Sequence, residues 1–201
     1  LEKRGIDVVA TREPGGTPTG QRIRQLLKGD HEITSMAELF LFLAARTTLI
    51  ETVVRPALDK GEVVVCDRYI YSTAAYQGYG RGLNLDVIRQ LNDLATGGLT
   101  PQIAFLLDLS SDEGFRRKSG VQLDRIERER DGFHQRVRQG YLKIVESESE
   151  RWCVIDATKS AEEISEIVWS QVRQKVPKRV CGKLSSPPWQ GGDRGGDLNP
   201  S

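Results

Sequence analysis

The chain has 201 residues, enough for one domain with a tail, and Lys plus Arg at 29 against Asp plus Glu at 28 leave a formal net charge of +1. That balance excludes a surface built to grip nucleic acid or an anionic membrane. Three cysteines with no C-x-x-C pair and two distant histidines exclude a disulfide framework and a zinc site, and with no signal peptide or long apolar run the expected setting is cytoplasmic.

Leu1 to Gly5 reads as the last turn of a helix closed by glycine, so the chain is expected to begin inside an element. Ile6 to Ala10 is a short apolar run suited to a buried strand. Thr17 to Lys28 follows as a helix with Ile23, Leu26 and Leu27 on one face. Ser35 with Glu38 three residues on has capping-box spacing and opens a long helix. Leu39, Leu43, Ile50 and Val53 recur along it before a kink or stop near Pro56. Val63 to Cys66 is a continuous apolar run of the buried parallel-strand type. A helix-rich stretch from Ser72 to about Leu94 precedes a third strand, Ile103 to Leu107. Ser110 to Lys118 and the charged Arg128 to Glu150 read as helices. Trp152 to Ile155 is a fourth strand, and Ala161 to Val176 an amphipathic helix carrying Ile164, Ile167, Val168 and Val172. From Pro177 to Ser201 the chain is rich in Pro, Gly and Ser without apolar period, the composition of a disordered tail.

Strands alternating with helices predict an α/β fold with a parallel sheet and right-handed crossovers. Ligands of such folds sit beyond the carboxyl ends of the strands, here Thr11 to Thr17, Asp67 to Tyr69, Asp108 to Ser111 and Asp156 to Lys159. In the first of these, Arg12 can present its fork to a phosphate, and Glu13 can take a hydroxyl or a hydrated metal. Read alone, the segment is equally a turn with a solvated ion pair. In the second, Asp67 can hold magnesium through water and Arg68 can face an acceptor phosphate, against the plainer reading of an ion pair at a strand end. Phe42 and Arg46, four apart on one helix face, suit a planar base, although Phe42 alone reads as core. Thr73 and Gln77 are again four apart, with Tyr76 beside them: a base edge and sugar reader, or only a helix start with a glycine-rich end. The basic run from Arg116 to Glu127, broken by Ser119-Gly120, is a solvated face or a mobile lid that closes arginine over a phosphoryl group. Gly15 and Gly20 have G-x-x-x-x-G spacing, but Gln21-Arg22 follows instead of Lys and Ser or Thr, so these residues hold no complete phosphate loop.

Together TREPGGTPTG with Arg24, LFLFLAAR, DRYIYSTAAYQGYGRG, LDRIE and IDATKS, in that order over Leu1 to Val176, resemble bacterial thymidylate kinase. The resemblance implies a P-loop NTPase-like parallel sheet flanked by helices, and transfer of the γ-phosphoryl of ATP to dTMP with Mg2+, giving dTDP for dTTP biosynthesis. By position Phe42 stacks on thymine, Arg46 hydrogen-bonds its carbonyl edge, and Thr73 and Gln77 complete base readout. Arg68, with Arg24 and Arg12, holds the dTMP phosphate, while Tyr76 packs on the sugar where a 2′-hydroxyl would sit. Glu13 and Asp67 organise metal and water, and Arg117 and Arg125 are lid arginines. These four join Arg68 as the catalytic set. Arg117 and the loop Asp156-Ala157-Thr158 lie near the adenine of ATP. The resemblance also implies a homodimer in the intact protein. The family opens with a strand, a G-x-x-x-x-G-K-[ST] loop and a helix, of which only the helix's tail is expected here. The 1–176 domain, with its lid at about 116–127, is therefore expected to be truncated, poorly folded alone and inactive. A deoxynucleoside kinase and a non-catalytic nucleotide-binding relic are the rival readings.

Overall fold

The computed structural model describes residues 1–2, 5–117, 124–129 and 131–176. The expected lid break at Ser119-Gly120 and the tail from Pro177, with Cys181, lie outside the described residues.

Four short strands and eight α-helices alternate among the described residues. Strand β1 (Val8–Arg12) leads to helix α1 (Pro18–Lys28) and the long α2 (Ser35–Leu49). A π-helical turn, Ile50–Val54, joins α2 to α3 (Arg55–Asp59), which ends before β2 (Val63–Asp67). Then come α4 (Ile70–Thr73), a second π-helical segment, Ala74–Gly80, and α5 (Leu85–Thr96). Strand β3 (Ala104–Asp108), α6 (Ser111–Arg117), α7 (Asp131–Ser147), β4 (Trp152–Asp156) and α8 (Ala161–Lys175) complete the order.

The strands pair in parallel, as their unbroken apolar runs require, but in two pairs rather than one continuous sheet. β1 lies on β2 with Arg12 opposite Asp67, and β3 lies on β4 with Asp108 opposite Asp156. Each pair therefore brings two polar residues together at its carboxyl end. β1 starts two residues later than the apolar run suggests, because Val63 N–H donates to Asp7 O (2.9 Å) and pairing begins only beyond that point.

Two boundaries differ from expectation for reasons visible in the backbone. Thr34, not Ser35, caps α2: its Oγ1 accepts from Ala37 N–H at 3.4 Å, which moves Glu38 one place further into the helix. The π-helical turn inserts a residue into the helical repeat. Leu39, Leu43 and Ile50 are buried as their spacing predicts, but Val54 then takes the core position expected of Val53. α7 begins at Asp131 rather than Arg128, because 124–129 forms a turn of its own, with Arg128 N–H on Asp124 O at 2.9 Å.

The core falls into three clusters. Leu39 and Leu43 of α2 meet Ile88 of α5, and Leu49, Ile50 and Val54 meet the inner residues of β2. Tyr71 and Ala75 meet Phe133, Val137 and Ile144 of α7. α2 thus takes part in two of the three clusters, and its Arg46 reaches Glu13 just beyond the end of β1.

Candidate active site

The turn after β1 is held by backbone first. Glu13 N–H donates to Asp67 O at 2.9 Å and Gly16 N–H to Arg12 O at 3.0 Å, while Thr17 Oγ1 caps α1 by accepting from Gly20 N–H at 2.9 Å. Gly16 is required by space: a Cβ there would overlap Thr11 Oγ1 and sit 2.6 Å from Leu49 Cδ1. The turn therefore carries Glu13 under α2.

Glu13 is 4% exposed and meets Arg46, which is 1% exposed. Arg46 donates to Glu13 Oε2 from Nε (2.8 Å) and Nη2 (2.5 Å), and from Nη1 to Thr73 Oγ1 (2.9 Å) and Asn92 Oδ1 (2.5 Å). Four of its five N–H groups are thus engaged, and the guanidinium lies 5.3 Å from the Tyr69 ring centre. Burial pushes the Glu13 carboxyl up from its ordinary value, and Arg46 offsets only part of that. Glu13 Oε1 is buried with no hydrogen-bond partner among the described residues.

Beside this pair opens a cavity of about 210 Å³. Its wall includes Glu13, Arg24, Phe42, Arg46, Arg68, Thr73, Tyr76 and Gln77, which are Glu13 and every candidate substrate residue except Arg12. The helix spacing accounts for the grouping. Phe42 and Arg46 are one turn apart on α2, and Thr73 and Gln77 are four apart where α4 passes into the π-helical segment. Arg24 donates to Pro14 O at 3.1 Å. Arg68 adopts a left-handed φ of 68°, uncommon for a residue with a side chain. Its guanidinium stacks 4.9 Å from the centre of Tyr76, whose ring packs edge-on to Phe133 and Tyr141. The cavity thus joins an aromatic flank, a polar inner end and two arginines. Arg12 is exposed and is not part of the wall, although it stands at the same strand end.

The other candidates fall outside the cavity. Arg125 docks its side chain, 16% exposed, between Leu27 O (3.2 Å) and Glu38. Neighbouring Asp124 is tied to Lys28 at 2.8 Å, and Asp124, Ile126 and Glu127 form part of the cavity's wall. Arg117 donates to Ala157 O at 2.9 Å and to Glu113 at 2.9 Å, so the expected donor-side residues do meet. There Asp156 Oδ1 accepts from Thr158 N–H (2.8 Å) and Oγ1 (2.7 Å), which hold its carboxyl below the ordinary range.

Two buried side chains that hold cavity residues gave no usable sequence signal. Asn92 on α5 steadies Arg46 from 46 residues away. Glu38, assigned to a cap by its spacing from Ser35, is instead 1% exposed and accepts from Gln77, Arg81 and Arg125.

Among the described residues no group of three or more His, Cys, Asp or Glu side chains gathers as a metal cage. Magnesium keeps most of its waters and asks for only one or two carboxylates beside substrate phosphates. The unpartnered Glu13 Oε1, with Asp67 joined to Glu13 through the backbone, fits that demand.

Comparison with known proteins agrees with this geometry. The family model for thymidylate kinase matches residues 1–168. A thymidylate kinase of Dehalococcoides mccartyi is 47% identical over 182 residues, covering 89% of this chain and 88% of that one. One from Synechococcus sp. is 46% identical over 176 residues, covering 88% and 85%. Among solved structures, thymidylate kinase from Ehrlichia chaffeensis is similar with a TM-score of 0.67 at 33% identity, over 84% of this chain and 81% of that one.

Proposed function

Since the chain belongs to the thymidylate kinase family, we propose that it takes dTMP in the α2 cavity as acceptor for the γ-phosphoryl group of ATP, giving dTDP with Mg2+. The observation that carries this reading is the convergence of Phe42, Arg46, Thr73 and Gln77 with Arg24 and Arg68 in one cavity. A flat ring, a donor and acceptor set and two cations are what a nucleoside monophosphate needs.

In this reading Phe42 stacks on thymine, Arg46 uses its remaining N–H on a carbonyl of the base, and Thr73 and Gln77 flank it. Tyr76 packs on the sugar at the 2′ side. Arg68 and Arg24 hold the phosphate, with Arg12 at the rim. Phosphoryl transfer is mainly positioning and charge neutralisation, so their role is to fix the attacking oxygen in line. Glu13 and Asp67 would hold magnesium through water, and the bound ion supplies neutralisation of phosphoryl charge. Arg117 and Arg125 serve from the lid, and Arg117 with Asp156, Ala157 and Thr158 flanks the adenine of the donor. The reading includes a homodimer and a cytoplasmic setting. Among the described residues no helix is long and apolar enough to cross a membrane.

These 201 residues contain no G-x-x-x-x-G-K-[ST] sequence, and hence neither the lysine nor the hydroxyl that would cradle the donor's phosphates. The polypeptide by itself is therefore proposed to bind dTMP without turnover. The test is to supply the purified chain with ATP, Mg2+ and either dTMP or thymidine, following products by chromatography and dTMP binding by calorimetry. Binding of dTMP without product is expected. Formation of dTDP refutes the inactivity but upholds the substrate. Phosphorylation of thymidine points to a deoxynucleoside kinase, and absence of dTMP binding sinks the acceptor reading.

A further inference from the structure

We propose that Glu38 is a positioning residue that locks the Gln77 amide with its carbonyl oxygen toward the nucleotide cavity, so that the pocket accepts a base with an N3–H donor and rejects one whose N3 is an acceptor. The inference rests on the acceptor reading above and assigns its base selectivity to a side chain that does not line the cavity.

Glu38 lies on α2 one turn before Phe42 and is 1% exposed. Its Oε1 accepts from Gln77 Nε2 at 2.8 Å and from Arg81 Nε at 3.2 Å. Its Oε2 accepts from Arg81 Nη2 at 3.2 Å and from Arg125 Nη2. Two guanidinium groups on one carboxyl favour its ionised form, and an ionised carboxylate only accepts. Burial alone would push Glu38 up, but the bonds from Arg81, Arg125 and Gln77 outweigh it and hold the group below its ordinary 4.5.

The amide of Gln77 therefore has one admissible orientation. Turned over, it would set its carbonyl oxygen against a carboxylate oxygen at hydrogen-bond distance, two acceptors facing each other in a buried site. One N–H of the amide is held by Glu38, the carbonyl oxygen on the opposite side is its acceptor, and Gln77 belongs to the cavity wall. The neighbouring Arg46 can only donate. A donor beside an acceptor matches the C4 carbonyl and N3–H of thymine or uracil. Cytosine presents the reverse, an amino group beside an acceptor N3.

The test is calorimetric titration of the full chain and of its Glu38→Gln and Glu38→Asp variants with dTMP, dCMP and 3-methyl-dTMP, which has no N3–H. Wild type should bind dTMP at least about tenfold tighter than either analogue, the worth of one well-made hydrogen bond. A glutamine at 38 can donate as well as accept and frees the Gln77 amide to turn. The dTMP preference over dCMP should then shrink by about tenfold or more, and Glu38→Asp should recover most of it. A merely structural Glu38 would weaken both nucleotides in parallel, and a ratio kept within twofold in Glu38→Gln overturns the inference alone. Should both variants fail to fold, NMR of wild type decides: the Gln77 side-chain carbonyl carbon should shift with dTMP while its NH2 stays protected, and an NH2 that responds instead overturns it. A wild type that binds neither nucleotide overturns the acceptor reading and this inference together.

Discussion

Arg46 shows why single residues of this site are sensitive. A guanidinium at 1% exposure has no water to fall back on, and Glu13 supplies its counter-charge through two hydrogen bonds. Removing one partner of a buried pair costs about 3–5 kcal/mol, because the other charge stays buried. Losing a neutral hydroxyl partner costs only about 1–3 kcal/mol. Glu13→Ala should therefore destabilise the fold more than Thr73→Ala, and urea denaturation of the two variants checks the order. Glu38 gives a pH dependence of definite sign. Its folded value lies below the ordinary 4.5, so as pH falls below about 4.5 the unfolded chain takes up the proton first. The stability it contributes is present above that pH and lost as pH drops toward the folded value. Burial shifts Glu13 the opposite way, so the readout is the difference between wild type and Glu38→Gln in denaturation from pH 6 to about pH 3. That difference should narrow as the solution is acidified, and a constant gap would contradict it. Phe42, Arg46, Thr73 and Gln77 were legible because four-residue spacing on a helix is a geometric fact. Asn92 was not, because its only mark is a partner 46 residues away.

At the scale of elements, the site depends on how closely α7 lies on the π-helical segment that carries Tyr76 and Gln77. Glycine backbone meets side chains of the facing element there. A Cβ on Gly140 would stand 2.6 Å from Tyr79 Cδ2 and 2.7 Å from its Cβ and Cγ, and a Cβ on Gly80 would stand 2.7 Å from Phe133 Cε2. Tyr79 Cβ and Cγ cannot swing aside like the tip of a long side chain, so the helix must move. In Gly140→Ala the gain in helix propensity is about 1 kcal/mol, and overpacking costs about 1–3 kcal/mol. The net effect should be destabilisation of up to about 2 kcal/mol, with weaker dTMP binding as Gln77 shifts. Gly132→Ala on the same helix meets only Arg136 Nη1 at 3.6 Å and should be neutral within about 1 kcal/mol. Chemical denaturation of both variants separates packing from propensity. The apolar runs revealed the strands to within two residues, since a run of successive apolar residues carries no polar alternation to confuse it. The glycines of the Gln77 segment revealed only small size. Their reason, a helix some sixty residues later in the chain, is not a local pattern.

For the whole molecule, the alternation of strands and helices foretold a parallel α/β fold, yet the strands stand as two pairs. Periodicity reports which face of a strand is apolar and says nothing of which strands are neighbours. Parallel strands are normally covered on both faces, but here Val65 on β2, Leu107 on β3 and Val154 on β4 are 48%, 52% and 46% exposed. Two-stranded sheets are marginal without packing, and half-exposed strand valines and leucines forgo much of the roughly 1.5–3 kcal/mol each would contribute when buried. The purified chain should therefore bind an apolar dye such as anilinonaphthalene sulfonate and unfold broadly. Two of the three core clusters, by contrast, include residues of α2, and the third packs against Tyr76 of the cavity wall. A ligand held there stabilises only the folded form, by about 2.7 kcal/mol at a hundred times its Kd. Addition of dTMP should then sharpen the melting transition and raise its midpoint by several degrees, while leaving dye binding at the open strand faces largely in place. Dye fluorescence that falls to baseline with dTMP would mean that those faces are closed by the same event that fills the cavity, so that the acceptor side does not form independently of the sheet.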